Sequence, residues 1–363
     1  MPETLARTPL FALHVELGAR LVPFAGWEMP VQYAGIIEEH LAVRQAAGLF
    51  DVSHMGEARV RGRDAAKFLD AIMTNEMASI KVGMARYTVM CQPDGGCVDD
   101  LIVYRLADDE FLICLNASNA AKDLAWMRAH VGALQVEVLD ECAAWAQLAL
   151  QGPRAEQILG LVTATPLAPI KRFGFAFGEV AGVGGCLISR TGYTGSPGFE
   201  LYLPAASAEK VARALLAAGK PHGLVPTGLG ARDSLRLEAN YPLYGHEISE
   251  QISPIQAGLG WTVKFTKPEF IGREALHRQA QGGPVSTVVL FSLDDRRIAR
   301  QGARVFDGET PVGEVLSGTQ SPVLGKPIGT ALVAAGHASS AALTVDVRGH
   351  RLPLRVSAEP FVK

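Results

Sequence analysis

The sequence has 363 residues, of which 48% are hydrophobic and 20% are charged, and its formal net charge at pH 7 is −3. A chain of this length exceeds what one hydrophobic core usually supports, so two or three globular domains are expected. The charge balance argues against a general basic surface for nucleic acid. No apolar run reaches membrane-spanning length, and the first twenty residues lack a signal-peptide pattern. These features predict a cytoplasmic protein with neither nucleic acid nor membrane as a partner.

The cysteine pattern argues against both disulfides and zinc. The five cysteines are odd in number, scattered along the chain and without Cys-x-x-Cys spacing. Cys91 and Cys97 flank a predicted turn, so they are expected to lie near one another as free thiols.

The N-terminal segment combines helical and loop signals. Residues 8–33 contain a short helical pattern followed by an aromatic-rich loop over residues 24–30. A helix is then predicted through Glu38 and Arg44, with Gly48 well placed to end it.

Residues 49–60 alternate in polarity like one continuous strand. On a strand the neighbours Ser53 and His54 point to opposite faces, which argues against a nucleophile and its base. A structural histidine with its hydrogen bonds satisfied is the favoured interpretation of His54.

An α+β arrangement is predicted for the next stretch. A helical period over residues 64–73 precedes two strands joined by the turn residues of 93–96, and another strand and helix follow at residues 111–116 and 120–130. The same order of elements recurs between residues 143 and 218, although no residue-level repeat is apparent.

Two adjacent carboxylates occupy the second strand of the predicted hairpin. Because side chains alternate along a strand, Asp100 shares a face with Tyr104, whereas Asp99 points the other way. Tyr87 lies on the neighbouring strand. Two interpretations stay open: both acids are solvated turn residues, or Asp100 is the placed polar group of an aromatic-lined site for a flat heterocycle.

Two later segments carry polar residues in unusual places. Residues 189–201 form a glycine-rich loop that carries Tyr193 and leads to Glu200, whose carboxylate suits the paired donors of an aminopyrimidine. Residues 227–239 indicate a helix with Arg232 in its first turn, where free backbone donors favour an electron-rich ligand. The alternative is that Asp233 and Glu238 neutralise Arg232 and Arg236 locally.

The chain changes character after residues 281–284, which are interpreted as a linker. Short strand-like runs divided by glycine and proline follow from about residue 285, and they predict a small all-β barrel or sandwich.

Five motifs together resemble one enzyme family, the T proteins of the glycine cleavage system, which are aminomethyltransferases. The motifs are Phe24-Ala25-Gly26-Trp27-Glu28-Met29-Pro30, Phe50-Asp51-Val52-Ser53-His54-Met55-Gly56, residues 95–105, Thr191-Gly192-Tyr193-Thr194-Gly195 and Gly228-Leu229-Gly230-Ala231-Arg232-Asp233. The resemblance extends over the whole chain.

The resemblance implies a three-domain cloverleaf around a central folate channel, with two mixed α/β domains built on antiparallel sheets and a C-terminal small β-barrel. The implied boundaries are residues 1–51 with 140–278 for a discontinuous folate-binding domain, 52–139 for the domain that carries the catalytic hairpin, and 284–363 for the barrel.

The resemblance also implies a reaction and its partners. A lipoylated H protein would present an aminomethyl group, and the enzyme would pass its carbon to tetrahydrofolate as co-substrate, releasing ammonia and forming 5,10-methylenetetrahydrofolate. No metal is implied. The alternative is a related folate-dependent demethylase acting on a small free methylated substrate, which would need no carrier protein.

Seven residues match functional positions of the family. Asp100 matches the critical acid, Glu200 the acid that holds the pterin, and Arg232 the base near the pterin carbonyl. The remaining matches line the family's folate pocket, and they are Met55, Tyr87, Tyr104 and Tyr193.

Overall fold

The structure is a computed structural model that describes residues 5–362. The helices of this part of the chain are α1 Phe11–Glu16, α2 Ile36–Gln45, α3 Ala65–Ile72, α4 Ala120–Ala129, α5 Ala155–Leu159, α6 Ala208–Gly219, α7 Leu229–Glu238 and α8 Arg273–Gly282. The strands are β1 Arg20–Phe24, β2 Trp27–Gln32, β3 Ala47–Asp51, β4 Gly56–Arg61, β5 Ala85–Cys91, β6 Cys97–Ala107, β7 Glu110–Leu115, β8 Glu137–Asp140, β9 Trp145–Gln151, β10 Phe175–Val180, β11 Val183–Ser189, β12 Gly198–Pro204, β13 Leu224–Pro226, β14 Ser286–Ser292, β15 Arg304–Asp307, β16 Thr310–Ser321, β17 Lys326–Ala334, β18 Leu343–Val347, β19 His350–Pro353 and β20 Arg355–Ser357.

The chain divides into two compact units. The first unit comprises residues 1–65, 80–86 and 102–235, and the second comprises residues 66–79, 87–101 and 236–363. The division falls within β5 and β6, so the predicted catalytic hairpin contributes residues to both units.

A six-stranded sheet of order β10-β11-β12-β9-β3-β13 supports the larger core of the first unit. Its apolar face packs with α5 and α6 around side chains such as Ile158, Phe199 and Leu215. The sheet is mostly antiparallel, as predicted, but β13 pairs with β3 in parallel, because α6 carries the chain back across the sheet between β12 and β13.

The predicted recurrence of elements is present in the structure. The series β4-α3-β5-β6-β7-α4-β8 forms a sheet of order β5-β6-β7-β4-β8. The series β9-α5-β10-β11-β12-α6-β13 gives the corresponding order, except that β3 lies between β9 and β13. A glycine follows the first strand of each series at a backbone angle that other residues rarely adopt, Gly62 at φ 131° and Gly152 at φ 134°. The repeat therefore lies in the backbone rather than in side-chain identity.

The second unit contains an antiparallel seven-stranded sheet of order β19-β18-β15-β16-β17-β14-β20. The sheet curls around an apolar core that includes Phe291, Val315 and Val345. The all-β prediction for this region is confirmed. The predicted linker is shorter than expected, because α8 continues to Gly282.

Two N-terminal predictions are corrected by the structure. The aromatic-rich segment is a hairpin of β1 and β2 rather than a loop, because Ala25 at φ 49° and Gly26 at φ 81° make the tight turn that joins twisted strands. Gly48 does not end the preceding helix, which finishes at Gln45. It lies inside β3, where an added Cβ would come within 2.4 Å of the Thr227 hydroxyl.

The predicted strand over residues 49–60 is two strands that belong to different sheets. The chain leaves β3 at Asp51, turns through residues 52–55 and enters β4 at Gly56. The buried Asp51 carboxylate holds this turn: it accepts hydrogen bonds from the Thr8 hydroxyl at 2.6 Å and the Ser53 amide at 2.8 Å, and it lies 2.8 Å from the His14 Nε2. Burial acts to raise the pKa of Asp51, but its bonds with His14 and Thr8 hold it below the ordinary value.

All five cysteines are free thiols, as predicted. The Cys91 and Cys97 thiols interact with one another, and burial raises the pKa of Cys97. Both are buried core groups of the second unit.

Replacing Gly96 with alanine tests the packing of the predicted catalytic hairpin. An added Cβ would lie 1.9 Å from the Glu250 carbonyl oxygen, and a backbone group has little freedom to move away. We expect Gly96→Ala to lower the free energy of unfolding by about 2 kcal/mol or more, measured by urea unfolding. Gly184→Ala is the matched control, because nothing lies within 4 Å of its added Cβ. Equal stability of the two variants would contradict the packing described here.

Candidate functional site

Asp100 lies near the start of β6, opposite a tyrosine of the second unit. The Tyr87 hydroxyl donates a hydrogen bond of 2.9 Å to the Asp100 Oδ2. Asp100 is half-buried, whereas Asp99 is fully buried with 0% of its surface exposed. The interpretation of both acids as solvated turn residues is therefore wrong. The strand alternation predicted from the sequence is correct, since the two carboxylates occupy different environments.

The turn before Asp100 is fixed by its own polar groups. The Asp94 carboxylate accepts a hydrogen bond from the Gly96 amide at 3.1 Å, and the Gln92 amide bonds the Gly96 carbonyl at 2.8 Å. A short, well-ordered turn of this kind limits the movement of the carboxylate that follows it.

Trp261 extends the aromatic surface beside Asp100, and the sequence analysis did not single it out. Its ring stacks on Tyr87 with centroids 5.8 Å apart, and 58% of its surface is exposed. No spacing pattern in the sequence distinguishes this residue, because it lies in an apolar run and comes next to Tyr87 only through the tertiary fold.

Glu200 is a buried carboxylate on β12 of the first unit. Its Oε1 accepts a hydrogen bond from the Gln147 amide at 3.1 Å, whereas its Oε2 is buried and has no partner among residues 5–362. Burial raises the pKa of Glu200, whereas the nearby Thr191 hydroxyl and the charge of Arg232 act in the opposite direction. One oxygen is therefore held in place while the other remains available to a donor.

Tyr104 belongs to the polar network that supports Glu200. Its hydroxyl lies 3.1 Å from the hydroxyl of Tyr202, which accepts a second hydrogen bond from the Gln147 amide at 3.0 Å. Tyr104 is fully buried, and burial raises its pKa, so the phenol stays protonated. Tyr104 thus shares an ordered hydrogen-bond chain with Glu200 through Tyr202 and Gln147.

Arg232 lies in the first turn of α7 with its guanidinium over the Tyr193 ring, 4.4 Å from the centroid. Its side chain makes no hydrogen bond or ion pair with the described residues. Arg236, the other arginine of this helix, donates to Glu247 at 2.9 Å, within the second unit. Arg232 thus retains its capacity to bind an acceptor.

Met55 ends the turn between β3 and β4. Its half-buried side chain packs against the aromatic cluster that contains Tyr104 and against the cluster that contains Phe50 and Leu235. The same turn holds His54, which is 2% exposed, and whose buried Nδ1 has no partner in the described chain. The expectation that its hydrogen bonds are satisfied is therefore wrong.

The seven predicted residues form two groups. Tyr87 and Asp100 meet in the second unit. The first unit holds Met55, Tyr104, Tyr193, Glu200 and Arg232, linked by the Tyr104 network and by the charge of Arg232 near Glu200.

Two surface cavities lie away from the predicted site residues. One, of about 610 Å³, is lined by residues 140–145 with Pro204, and the other, of about 570 Å³, by residues 61–63, 109–110 and 134–137. The chain over residues 5–362 has no group of three or more His, Cys, Asp or Glu side chains suited to a metal ion. Nor does it have a helix long and apolar enough to span a membrane.

Family models match nearly the whole chain. Residues 10–267 match the GCVT N-terminal domain, and residues 287–363 match the glycine cleavage T-protein C-terminal barrel domain.

Curated relatives and a solved structure agree with these models. Aminomethyltransferases from Desulforamulus reducens and Anoxybacillus flavithermus are 50% and 51% identical, with 99% of each chain covered. The crystal structure of glycine cleavage system aminomethyltransferase T from Bartonella henselae is 34% identical, with a TM-score of 0.93 over 99% of this chain and 98% of that one. The chain therefore belongs to the glycine cleavage T-protein family, the aminomethyltransferases of the glycine cleavage system.

Proposed function

We propose that this enzyme takes an aminomethyl group from the lipoyl arm of an H protein and passes its carbon to tetrahydrofolate, forming 5,10-methylenetetrahydrofolate and ammonia. In this reaction the carbon–sulfur and original carbon–nitrogen bonds break, and two bonds from carbon to folate nitrogens form. Two protons leave those nitrogens, one for the thiol and one for ammonia. The observation that carries the proposal is the half-buried Asp100 carboxylate, oriented by Tyr87 at 2.9 Å.

Asp100 is assigned to the reacting end of the folate. A carboxylate that already accepts one phenolic hydrogen bond has lone pairs left for a second donor, such as the folate nitrogen that attacks the carbon. Tyr87 restricts the carboxylate to one orientation, and the Trp261 ring stacked on it restricts Tyr87 in turn. The proposed role is to orient folate and assist proton transfer at that nitrogen.

Glu200 and Arg232 are assigned to the pterin ring. A pterin presents amino and ring N–H donors along one edge, beside a carbonyl acceptor. The buried Oε2 of Glu200 has no protein donor, and Arg232 has no protein acceptor for its guanidinium in the described chain. These two side chains fit the pterin edge: the Glu200 carboxylate can accept from its N–H donors, and the Arg232 guanidinium can donate to its carbonyl.

The other predicted residues are assigned to the walls of the same site. Tyr193, held beneath the Arg232 guanidinium, offers an aromatic face for stacking, and Met55 offers an adaptable apolar surface. The buried Tyr104 acts on the pterin subsite through Tyr202 and Gln147, which hold the Glu200 carboxylate.

The domain arrangement is part of the proposal. We assign residues 1–51 with 140–278, residues 52–139 and residues 284–363 to three domains of a cloverleaf around a folate channel. The sheets support this division, because the strands of each sheet fall within one proposed domain. Strands β3 and β9–β13 lie in residues 1–51 with 140–278, β4–β7 and most of β8 lie in residues 52–139, and β14–β20 lie in residues 284–363.

The test of the reaction is turnover of the purified enzyme with tetrahydrofolate and aminomethyl-lipoyl H protein. We expect 5,10-methylenetetrahydrofolate and ammonia to form in equal amounts. Folate binding without either product would contradict the carrier reaction and direct the search to a free methylated substrate.

Asp100→Asn removes the negative charge and basicity at nearly constant shape. We expect kcat to fall about a hundredfold, with the Kd for tetrahydrofolate changing little, because the group acts on proton transfer. Steady-state kinetics and calorimetric binding measure the two effects. Asp108→Asn is the matched control, since that side chain is 96% exposed and should leave both quantities unchanged. Normal turnover of Asp100→Asn would remove this residue from the mechanism.

Glu200→Gln tests the pterin assignment through pH. Because burial raises the pKa of Glu200, lowering the pH protonates it earlier than an ordinary glutamate and removes an acceptor. The enzyme should therefore bind tetrahydrofolate more weakly as the pH falls through the raised pKa of Glu200. Glu200→Gln should bind at least tenfold more weakly at pH 8 and lose this Glu200-dependent component. A Kd and pH profile equal to those of the unsubstituted enzyme would place the pterin elsewhere.

A further inference from the structure

His54 differs from the other histidines that are buried in the first unit. His14 lies within hydrogen-bonding distance of Asp51 and Tyr33, and His40 lies 2.7 Å from the Ser234 hydroxyl. His54 is equally buried, but its Nδ1 has no hydrogen-bond partner in the described part of the chain. Since a buried polar atom without a partner costs stability, its retention here needs another reason.

The groups nearest to His54 in the turn are already committed. The Asp51 carboxylate is occupied by Thr8, His14 and the Ser53 amide, and the Ser53 hydroxyl donates to the Gln147 carbonyl. The ring neighbour of His54 is Phe24, whose edge-to-face contact at 5.6 Å fixes the imidazole without satisfying its nitrogen. The imidazole ring is therefore held in position while its Nδ1 has no hydrogen-bond partner among the described residues.

The electrostatic surroundings keep the imidazole neutral. Burial, followed by the positive charge of Arg232, lowers the pKa of His54 to about 3, with Asp51 acting weakly in the opposite direction. A neutral imidazole has one N–H donor and one acceptor nitrogen. Hydrogen bonds also join the turn of His54 to Glu200: the neighbouring Ser53 hydroxyl donates to the Gln147 carbonyl, and the Gln147 amide donates to the Glu200 Oε1. The Oε2 of Glu200, like the Nδ1 of His54, is buried without a partner among residues 5–362.

We propose that His54 is a substrate-binding residue whose Nδ1 hydrogen-bonds to the heterocycle of the folate, alongside Arg232 and Glu200. The inference rests on the proposed function, because it assigns the pterin to these two residues. It extends that assignment to a residue that the sequence pattern identifies only as structural. A heterocycle with both N–H donors and a carbonyl acceptor can satisfy the unused atoms of all three side chains.

The test compares His54→Phe with His54→Asn in the full-length enzyme. Phenylalanine keeps a ring against Phe24 but has no nitrogen, whereas asparagine retains a polar atom near the position of Nδ1. We expect His54→Phe to raise the Kd and KM for tetrahydrofolate about tenfold or more, and its melting temperature to stay equal or rise, because a buried unpartnered atom is removed. His54→Asn should recover most of the affinity.

His40→Phe is the control for a general effect of losing a buried histidine, because His40 lies outside the turn that carries His54. It removes the hydrogen bond with Ser234, so it should lower the melting temperature while folded protein retains its affinity for folate. If His54→Phe binds tetrahydrofolate like the unsubstituted enzyme while Glu200→Gln binds weakly, the role of His54 is overturned and the pterin assignment stands. If the unsubstituted enzyme does not bind tetrahydrofolate, the proposed function fails as well.

A second readout covers the case in which His54→Phe does not fold. In enzyme labelled with ¹⁵N-histidine, the His54 resonances are identified by their loss in His54→Asn. Addition of tetrahydrofolate should shift them strongly, because a hydrogen bond to Nδ1 changes its shielding. Unchanged His54 resonances at saturating tetrahydrofolate would overturn the proposal.

Discussion

The buried Asp51 carboxylate is the constraint on which the first unit depends. It ends β3 in one sheet and holds the four-residue turn to β4 in the other through Thr8, His14 and the Ser53 amide. A buried carboxylate is tolerated only when its oxygens are satisfied, and breaking such an arrangement is strongly destabilising. The turn is therefore rigid, and the side chains that it presents, His54 and Met55, are held where the two sheets meet.

The distribution of satisfied and unsatisfied polar groups distinguishes structure from function in this unit. Tyr104, Tyr202 and Gln147 share hydrogen bonds with one another, as buried polar groups normally do. Glu200 and His54 each retain an atom without a partner among residues 5–362, at a cost of about 1–3 kcal/mol for each such group. Such costs are typical of groups whose partner is a ligand.

Glu57 is a buried group of a different kind. Both of its carboxyl oxygens lack partners in the described chain, but burial and the neighbouring Glu141 and Asp140 raise its pKa well above the ordinary value. This shift favours the neutral acid, and a neutral carboxyl group is much less costly to bury than a carboxylate. Glu200 and His54 differ from Glu57 in that the charge of Arg232 acts on both of them.

The sequence by itself determined the local elements and the chemistry they carry. Strand alternation predicted that Asp100 and Asp99 point to opposite faces of β6. The glycine-rich start of α7 indicated Arg232 in the first turn of that helix, and the change of composition near residue 284 indicated the start of the all-β region. These features depend on periodicity and turn chemistry, which act between residues close in the chain. Long-range contacts decided the rest: the break between β3 and β4 depends on Thr8 and His14, and Trp261 reaches Tyr87 across more than 170 residues. A buried histidine without a partner cannot be recognised from the sequence, because hydrogen-bond satisfaction depends on every group that the tertiary structure brings around it.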